Sequence, residues 1–457
     1  GAFLMAKYQK YAEYKDSGVE WLGEIPDHWQ VSKVKYLAPF QVGWTPPTKD
    51  DANFIGENLW VNISDLKGKT ITSTSKQISD KAAQEASMDI TPKGSLMYSF
   101  KLSVGAVSFA GCDMYTNEAI ASFLDTSKLP LSFLYYVLPK FIIENASTNI
   151  YGAKILNQEL IKNASLLELP FKEAQIIANF LDYETAKIDT LIANQEKLIE
   201  LLKEKRQAVI SHAVTKGLNP DVAMKDSGVE WLGQVPEHWV VAQLKFNTLE
   251  MQTGPFGSQL HAEDYIEDGI PLINPAHMIN GVLVPDKQIT VDEATQKRLS
   301  RHKLEVGDII FARRGELGRC AIVREENKGW LCGTGSLKAK LNERLIPEYA
   351  YLLITSDGLI AELSLESKGS TMDNLNTETL GKVRTPVPPP DEQIAILHYV
   401  EQVSGKYENL IQKAESAIQL MQERRTALIS AAVIGKIDVR NWQNPNNNNE
   451  AKMEFSA

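Results

Sequence analysis

Arg313, Arg314 and Arg319 fall within one short stretch and are interleaved with Gly315 and Gly318. A guanidinium presents a planar fork of N–H donors, and glycines beside it let the backbone approach a ligand closely. This loop therefore suits bidentate contacts to guanine edges or to phosphates. The alternative is a solvated loop in which one arginine pairs with Glu316. Lys368-Gly369-Ser370-Thr371-Met372-Asp373-Asn374 sets one lysine among small polar residues. That composition favours phosphate contacts through hydroxyls and backbone N–H groups. Asn149, Tyr151, Gly152 and Lys154 hold the corresponding place in the first half of the chain.

Signals for catalysis are weak. The chain contains no G-x-x-x-x-G-K-[ST] loop, so nucleotide-driven translocation is not encoded. No [DN]-P-P-[FY] tetrapeptide occurs, and Asn274-Pro275-Ala276-His277 lacks the stacking aromatic. Asp286 is followed by no well-spaced Glu-x-Lys. Cys112, Cys320 and Cys332 form no metal-ligand spacing, so no zinc site or disulfide framework is expected, and a reduced, cytoplasmic compartment is the simple reading.

The elements that position these loops are declared by repetition. DSGVEWLGEIPDHW at 16–29 returns as DSGVEWLGQVPEHW at 226–239, an offset of 210 in a chain of 457 residues. Leu169–Ile176 is matched by Val387–Ile394 at an offset of 218, and Leu202–Ser211 by Met421–Ser430 at 219. The drift predicts one inserted residue between those two blocks. Ala174 then faces Glu392, which makes the first helix start degenerate. Each half reads as a Trp-rich opening segment, a variable middle, a Pro-marked boundary and a long helix, the pattern of a tandem duplication. His28 and His238 belong to the repeated frame and are read as packing or capping groups.

From Glu173 to Lys216 no proline or glycine interrupts a helical apolar pattern. Leu191, Leu198 and Leu202, with Ile188 and Val209, are assigned to the seam of a coiled coil, and so are Leu410, Ala417 and Met421 with Tyr407 and Leu428. Gly217 and Gly435 are the expected helix stops. So narrow a stripe needs a partner, and an antiparallel pairing of the two copies about a pseudo-two-fold axis is the simplest. Such a rod of roughly 50–65 Å would hold two readers apart by about one turn of DNA or more. Both middles read as mixed α/β with strands in parallel order, including a helix over 348–363 and one near 131–144.

The boundaries expected are 1–168 for the first opening and middle, 169–217 for the first helix, 218–386 for the second opening and middle, and 387–436 for the second helix. The Asn-rich tail, 437–457, is expected to be disordered. Gly1–Met5 is too short for a secretory signal and reads as residues added before a native Met5. No run of 18 or more apolar residues predicts a membrane span. Net charge is −10, which argues against a sequence-blind DNA coat. It leaves open a DNA reader with clustered cations, or an acidic DNA mimic.

DSGVEWLG-x-[IV]-P-[DE]-HW before each half, GDIIFARRGELGR at 307–319 and a proline followed closely by [EA]-Q-I at the opening of each long helix resemble the specificity subunits of type I restriction–modification systems. The resemblance covers nearly the whole chain. It implies two target recognition domains of similar α/β fold joined by two long antiparallel coiled-coil helices, with each domain reading one half of a split DNA sequence. It further implies docking of two modification subunits that methylate adenine from S-adenosylmethionine, and of restriction subunits that use ATP and Mg. No cofactor is implied on this chain. The loops implied to face DNA carry Tyr98, Ser99, Lys101, Asn149, Tyr151, Lys154, Arg313, Arg314, Arg319, Thr334, Lys368, Ser370, Thr371 and Asn374. Two rival readings are the reader part of a fused methyltransferase or nuclease, and a coiled-coil adaptor or DNA mimic that binds proteins alone.

Overall fold

The computed structural model describes residues 8–445 apart from 86, 88, 102, 149–151, 153, 316 and 368–374. Two compact units emerge: residues 1–195 with 416–457, and residues 196–415. Each contains one copy of the repeated hairpin. Tyr14–Asp16 pairs antiparallel with Glu24–Pro26, and Met224–Asp226 pairs in the same register with Gln234–Pro236. The loop between the strands explains why its sequence recurs. The Asp16 carboxylate accepts from the Gly18 N–H at 2.9 Å, and Asp226 accepts from Gly228 at 2.9 Å. Gly18 and Gly23 take φ of 70° and 65°, and Gly228 and Gly233 take 67° and 57°, a left-handed backbone that favours glycine.

A two-stranded stem follows in each unit. Gln30–Lys33 pairs with Ser165–Glu168, and Val240–Gln243 with Arg384–Val387, so each variable middle is an insert closed at its base. Within the first insert a five-stranded sheet runs Phe40–Val42, Ile120–Phe123, Leu96–Ser99, Val107–Ala110, Thr70–Ile71. The second has four strands in the order Thr248–Thr253, Ser336–Leu341, Ile309–Ala312, Cys320–Ile322. A smaller sheet repeats as well: Tyr115–Thr116 lies parallel to Asn58–Val61, and Leu331–Cys332 parallel to Ile270–Ile273. The two inserts thus share a fold despite little common sequence. The helix near 131–144 forms over Leu131–Glu144 and buries Phe133, Leu134, Val137 and Phe141. The single helix expected over 348–363 is instead two, Pro347–Ile354 and Asp357–Ser367. The break falls where the Ser356 hydroxyl donates to the Leu353 carbonyl at 2.6 Å, a local bond that competes with helix continuation.

The long helices are Phe171–Lys216 and Pro390–Val433. Gly217 and Gly435 end them with φ of 77° and 72°. In the first unit Ile188 and Leu428 are buried, Ile192 and Met421 pack beside them, and Arg425 forks onto Asp189 at 2.8 and 3.3 Å. In the second, Ala213, Val214, Ile396 and Val400 share a core and Arg206 lies 3.4 Å from Glu408. Early residues of one helix meet late residues of the other within each unit, so the pairing is antiparallel. The seam assignment needs correction. Leu191, Leu198 and Leu410 are 50%, 42% and 48% exposed and point outward, while Ile188, Ile192, Ile411 and Ala414 turn inward. Leu202, Ala417 and Met421 are half-buried and stay on the inner side. Ile188 and Leu428 keep the inner places assigned to them, so the correction is confined to the three leucines, with Ile192 and Ile411 turned inward beside Leu191 and Leu410.

The start of the tail is also ordered. Ile437 and Val439 are buried, and the Trp442 ring meets Phe180 edge-on at 5.8 Å. Among the described residues no helix is long and apolar enough to cross a membrane, and no His/Cys/Asp/Glu group could hold a metal ion.

Candidate nucleic-acid interface

In the second insert, strand Ile309–Ala312 delivers Arg313 and Arg314 to the rim of the sheet. Arg313 is half-buried and braced by backbone: its N–H donates to the Gly335 carbonyl at 2.9 Å, its carbonyl accepts from Leu375 N–H at 2.8 Å, and its Nε donates to the Leu375 carbonyl at 3.3 Å. It straps three loops together. Arg319 is half-buried too, with Nη1 donating to the Pro275 carbonyl at 3.4 Å, and it lines a cleft with Asn280, Tyr351 and Ile360. Arg314 and Thr334 are exposed. Gly318, at φ 82°, could not carry a Cβ without meeting the Ile360 side chain at 2.6 Å. The expectation that all three arginines present free forks therefore narrows: Arg314 reaches outward, and Arg313 and Arg319 commit donors to positioning the loops.

The first insert departs further from expectation. Tyr98 and Ser99 lie on the central strand Leu96–Ser99 and are fully buried, so their side chains do not face a ligand. Burial pushes the Tyr98 hydroxyl above its ordinary value, and that hydroxyl has no hydrogen-bond partner among the described residues. The Ser99 hydroxyl donates to the Lys101 carbonyl at 3.0 Å. A strand alternates its faces, but the sheet here is covered on both sides, which the local sequence does not reveal. Lys101 is exposed beyond the strand end, and Lys154 is exposed on Lys154–Ile155. Asn149, Tyr151, Lys368, Ser370, Thr371 and Asn374 lie outside the described residues.

Two features escaped the sequence reading. The first is a turn shared by both inserts. Asn62 N–H donates to Asp65 Oδ2 at 2.9 Å, and Asn274 N–H donates to His277 Nδ1 at 3.1 Å. Trp60-Val61-Asn62-x-x-Asp65 and Leu272-Ile273-Asn274-x-x-His277 are therefore one element, and the Asn-Pro-Ala-His segment is a capped turn. An offset of 212, close to that of the hairpin, was the signal available.

The second is a carboxylate beneath each hairpin, buried in the first unit and half-buried in the second. Glu173 accepts from the Tyr11 hydroxyl at 2.8 Å and the Trp29 indole at 3.0 Å, and its second oxygen lies 2.8 Å from His28 Nε2. In the other unit Glu392 accepts from the Trp239 indole at 3.0 Å and lies 2.7 Å from His238 Nε2. Both indoles are fully buried, so the acceptor cannot be replaced by water. The helix glycines close the same nodes. A Cβ on Gly435 would lie 2.4 Å from Pro26, and one on Gly217 would lie 3.0 Å from the Glu392 carboxylate and 3.2 Å from the Trp239 ring. Glu173 is thus the counterpart of Glu392, at an offset of 219. The supposed degeneracy at Ala174 disappears, because the inserted residue precedes the helix rather than lying within it.

Duplicated frames around diverged inserts have a counterpart among known proteins. The sequence model of the type I restriction modification DNA specificity domain matches residues 26–201 and 251–419. The chain belongs to this family. Among curated relatives, the MjaIX specificity subunit of Methanocaldococcus jannaschii is 24% identical over 451 residues, covering 95% of this chain and 99% of the relative. The EcoBI specificity subunit of Escherichia coli is 24% identical over 447 residues, covering 95% and 91%. Two solved structures share the fold. One, from work on complex assembly and conformational transition of the type I R-M system, has a TM-score of 0.65 at 14% identity over 90% of this chain and 98% of its own. The HsdS subunit from Thermoanaerobacter tengcongensis has a TM-score of 0.56 at 14% identity over the same shares.

Each specificity-domain match takes in an insert and most of its long helix. The compact units are cut differently, since 416–433 of the second helix belongs with the first insert and 196–216 of the first helix with the second. The sequence repeat and the structural unit are therefore distinct partitions of this specificity-domain chain.

Proposed function

We propose that this chain is the non-catalytic, sequence-reading subunit of a type I restriction–modification complex, with each insert acting as a target recognition domain for one half of a split DNA target. The observation that carries this reading is the pairing of kept and changed parts. Hairpin, stem and the tryptophan–histidine–carboxylate contact recur, while the loop tips at the rim of the two sheets present Lys101 in one unit and Arg314 in the other. A protein selected to read two unlike half-sites keeps its frame and varies its tips.

The outward leucines of the long helices serve a partner. Leu191 in the first unit, and Leu198 and Leu410 in the second, are apolar, exposed and unused by the seam. We assign them to docking two modification subunits, which bring S-adenosylmethionine and methylate adenine. Restriction subunits with ATP and Mg complete the assembly, and the complex works in the cytoplasm. The chain itself reads and scaffolds.

The test is adenine-methylation mapping by long-read sequencing in cells that make this chain with its cognate modification subunit. A split motif with a fixed gap, absent without the chain, is expected. Arg314→Ala should relax one half-site and leave the other intact, at a cost of about 1–3 kcal/mol for a good base contact. A complex that assembles yet marks no split motif would refute the reading and favour a protein-binding adaptor.

A further inference from the structure

The first insert carries a carboxylate where its outward lysine stands. Glu118 is exposed at the tip between strands Tyr115–Thr116 and Ile120–Phe123, and Lys101 lies just beyond Leu96–Ser99. Backbone bonds give the correspondence with the other insert. Phe100 N–H donates to the Ala119 carbonyl at 3.0 Å, as Arg313 N–H donates to Gly335 at 2.9 Å. Lys101 is thereby the counterpart of Arg314, and Glu118 the counterpart of Thr334.

Lys101 Nζ lies 3.7 Å from Glu118 Oε1, with the two side chains 50% and 48% exposed. The Thr45 hydroxyl donates to the other carboxylate oxygen. Burial pushes this carboxyl up, but the Thr45 hydroxyl, a backbone N–H and Lys101 outweigh it and hold the group below its ordinary value, so it is ionised near neutral pH. An ion pair so exposed contributes little to folding and is readily exchanged for other partners. A carboxylate at a DNA-facing tip is repelled by phosphates. The contact that offsets this is an amino hydrogen on a base edge. In the major groove one C·G pair offers the cytosine N4 amino donor beside the guanine O6 and N7 acceptors, which suit a carboxylate and a lysine respectively.

We infer that Glu118 and Lys101 together read one C·G pair in the half-site of the first recognition domain, Glu118 accepting from cytosine N4 and Lys101 donating to guanine O6 or N7. Thr45 holds the carboxylate in place. The inference rests on the DNA-reading role proposed above and names the base pair that this part of the site selects.

The experiment maps methylated motifs in cells making the modification subunit with the unaltered chain, Glu118→Ala, Glu118→Gln or Thr45→Val. The unaltered motif should hold a C·G pair at one position that Glu118→Ala relaxes, with discrimination there falling roughly ten- to a hundred-fold. Thr45→Val should relax the same position less. Glu118→Gln should admit adenine there, since a glutamine amide pairs with adenine N6 and N7. The other half-site and the gap should persist, which also reports that the chain still folds and assembles. Relaxation at an A·T position, or an unchanged motif in both Glu118 variants, overturns the assignment. If Glu118→Ala abolishes methylation, the isosteric glutamine decides: a change confined to the one position supports the dyad, and the unaltered motif refutes it. Absence of any split motif with the unaltered chain is the separate failure of the reading itself.

Discussion

Glu173 and Glu392 show how much one side chain can organise. Each sits at the start of a long helix and collects donors that a repeated hairpin has buried, so its loss strands an indole N–H away from water. Glu173→Ala should lower unfolding free energy by about 1–3 kcal/mol for each orphaned donor, measured by chemical denaturation. Glu392→Ala should cost less, because its side chain is 27% exposed where that of Glu173 is 7% and it lacks the tyrosine donor. Glutamine should recover part of the loss in both. Equal or absent losses would contradict the nodes. The hairpin's tryptophans and histidines were legible as a pair repeated within the chain, but the carboxylates that accept from the two indoles lie 144 and 153 residues away from them. A one-residue slip in aligning the helix starts was enough to hide it.

At the scale of elements, the helices were legible and their inner face only in part: Ile188 and Leu428 were assigned correctly, Leu191, Leu198 and Leu410 were not. Proline-free stretches with glycine stops predicted both helices within a few residues of 171–216 and 390–433. Which residues turn inward depends on a partner that local periodicity does not identify, and adjacent stripes of Leu and Ile were both available. Ile188 and Ile411 are 5% and 4% exposed, so Ile188→Ala and Ile411→Ala should each destabilise by about 2–4 kcal/mol. Leu191→Ala and Leu410→Ala should leave the denaturation midpoint nearly unchanged and reduce recovery of the modification subunit in co-purification. The reverse pattern would return Leu191 and Leu410 to the seam. A similar limit applied to Tyr98 and Ser99: the strand was expected, but its coverage on both faces came from elements far along the chain.

For the whole molecule, the two helices belong to both units, and the proposed gap in the target follows from their length. Inserting one heptad in each helix keeps the inner stripe in phase and adds roughly 10 Å of rise. The methylated motif should then keep both half-sites and gain about three base pairs of gap. An unchanged gap would sink the ruler. Duplication, the α/β character of the inserts, the helix bounds and the family were all contained in the sequence, because repeats, periodicity and glycine turns are local properties of a chain. The tertiary structure alone decided that Glu173 answers Trp29, that Arg313 is a strap while Arg314 faces out, and that Glu118 meets Lys101. These depend on residues distant in sequence being brought within a few ångströms, which no local pattern of residue types specifies.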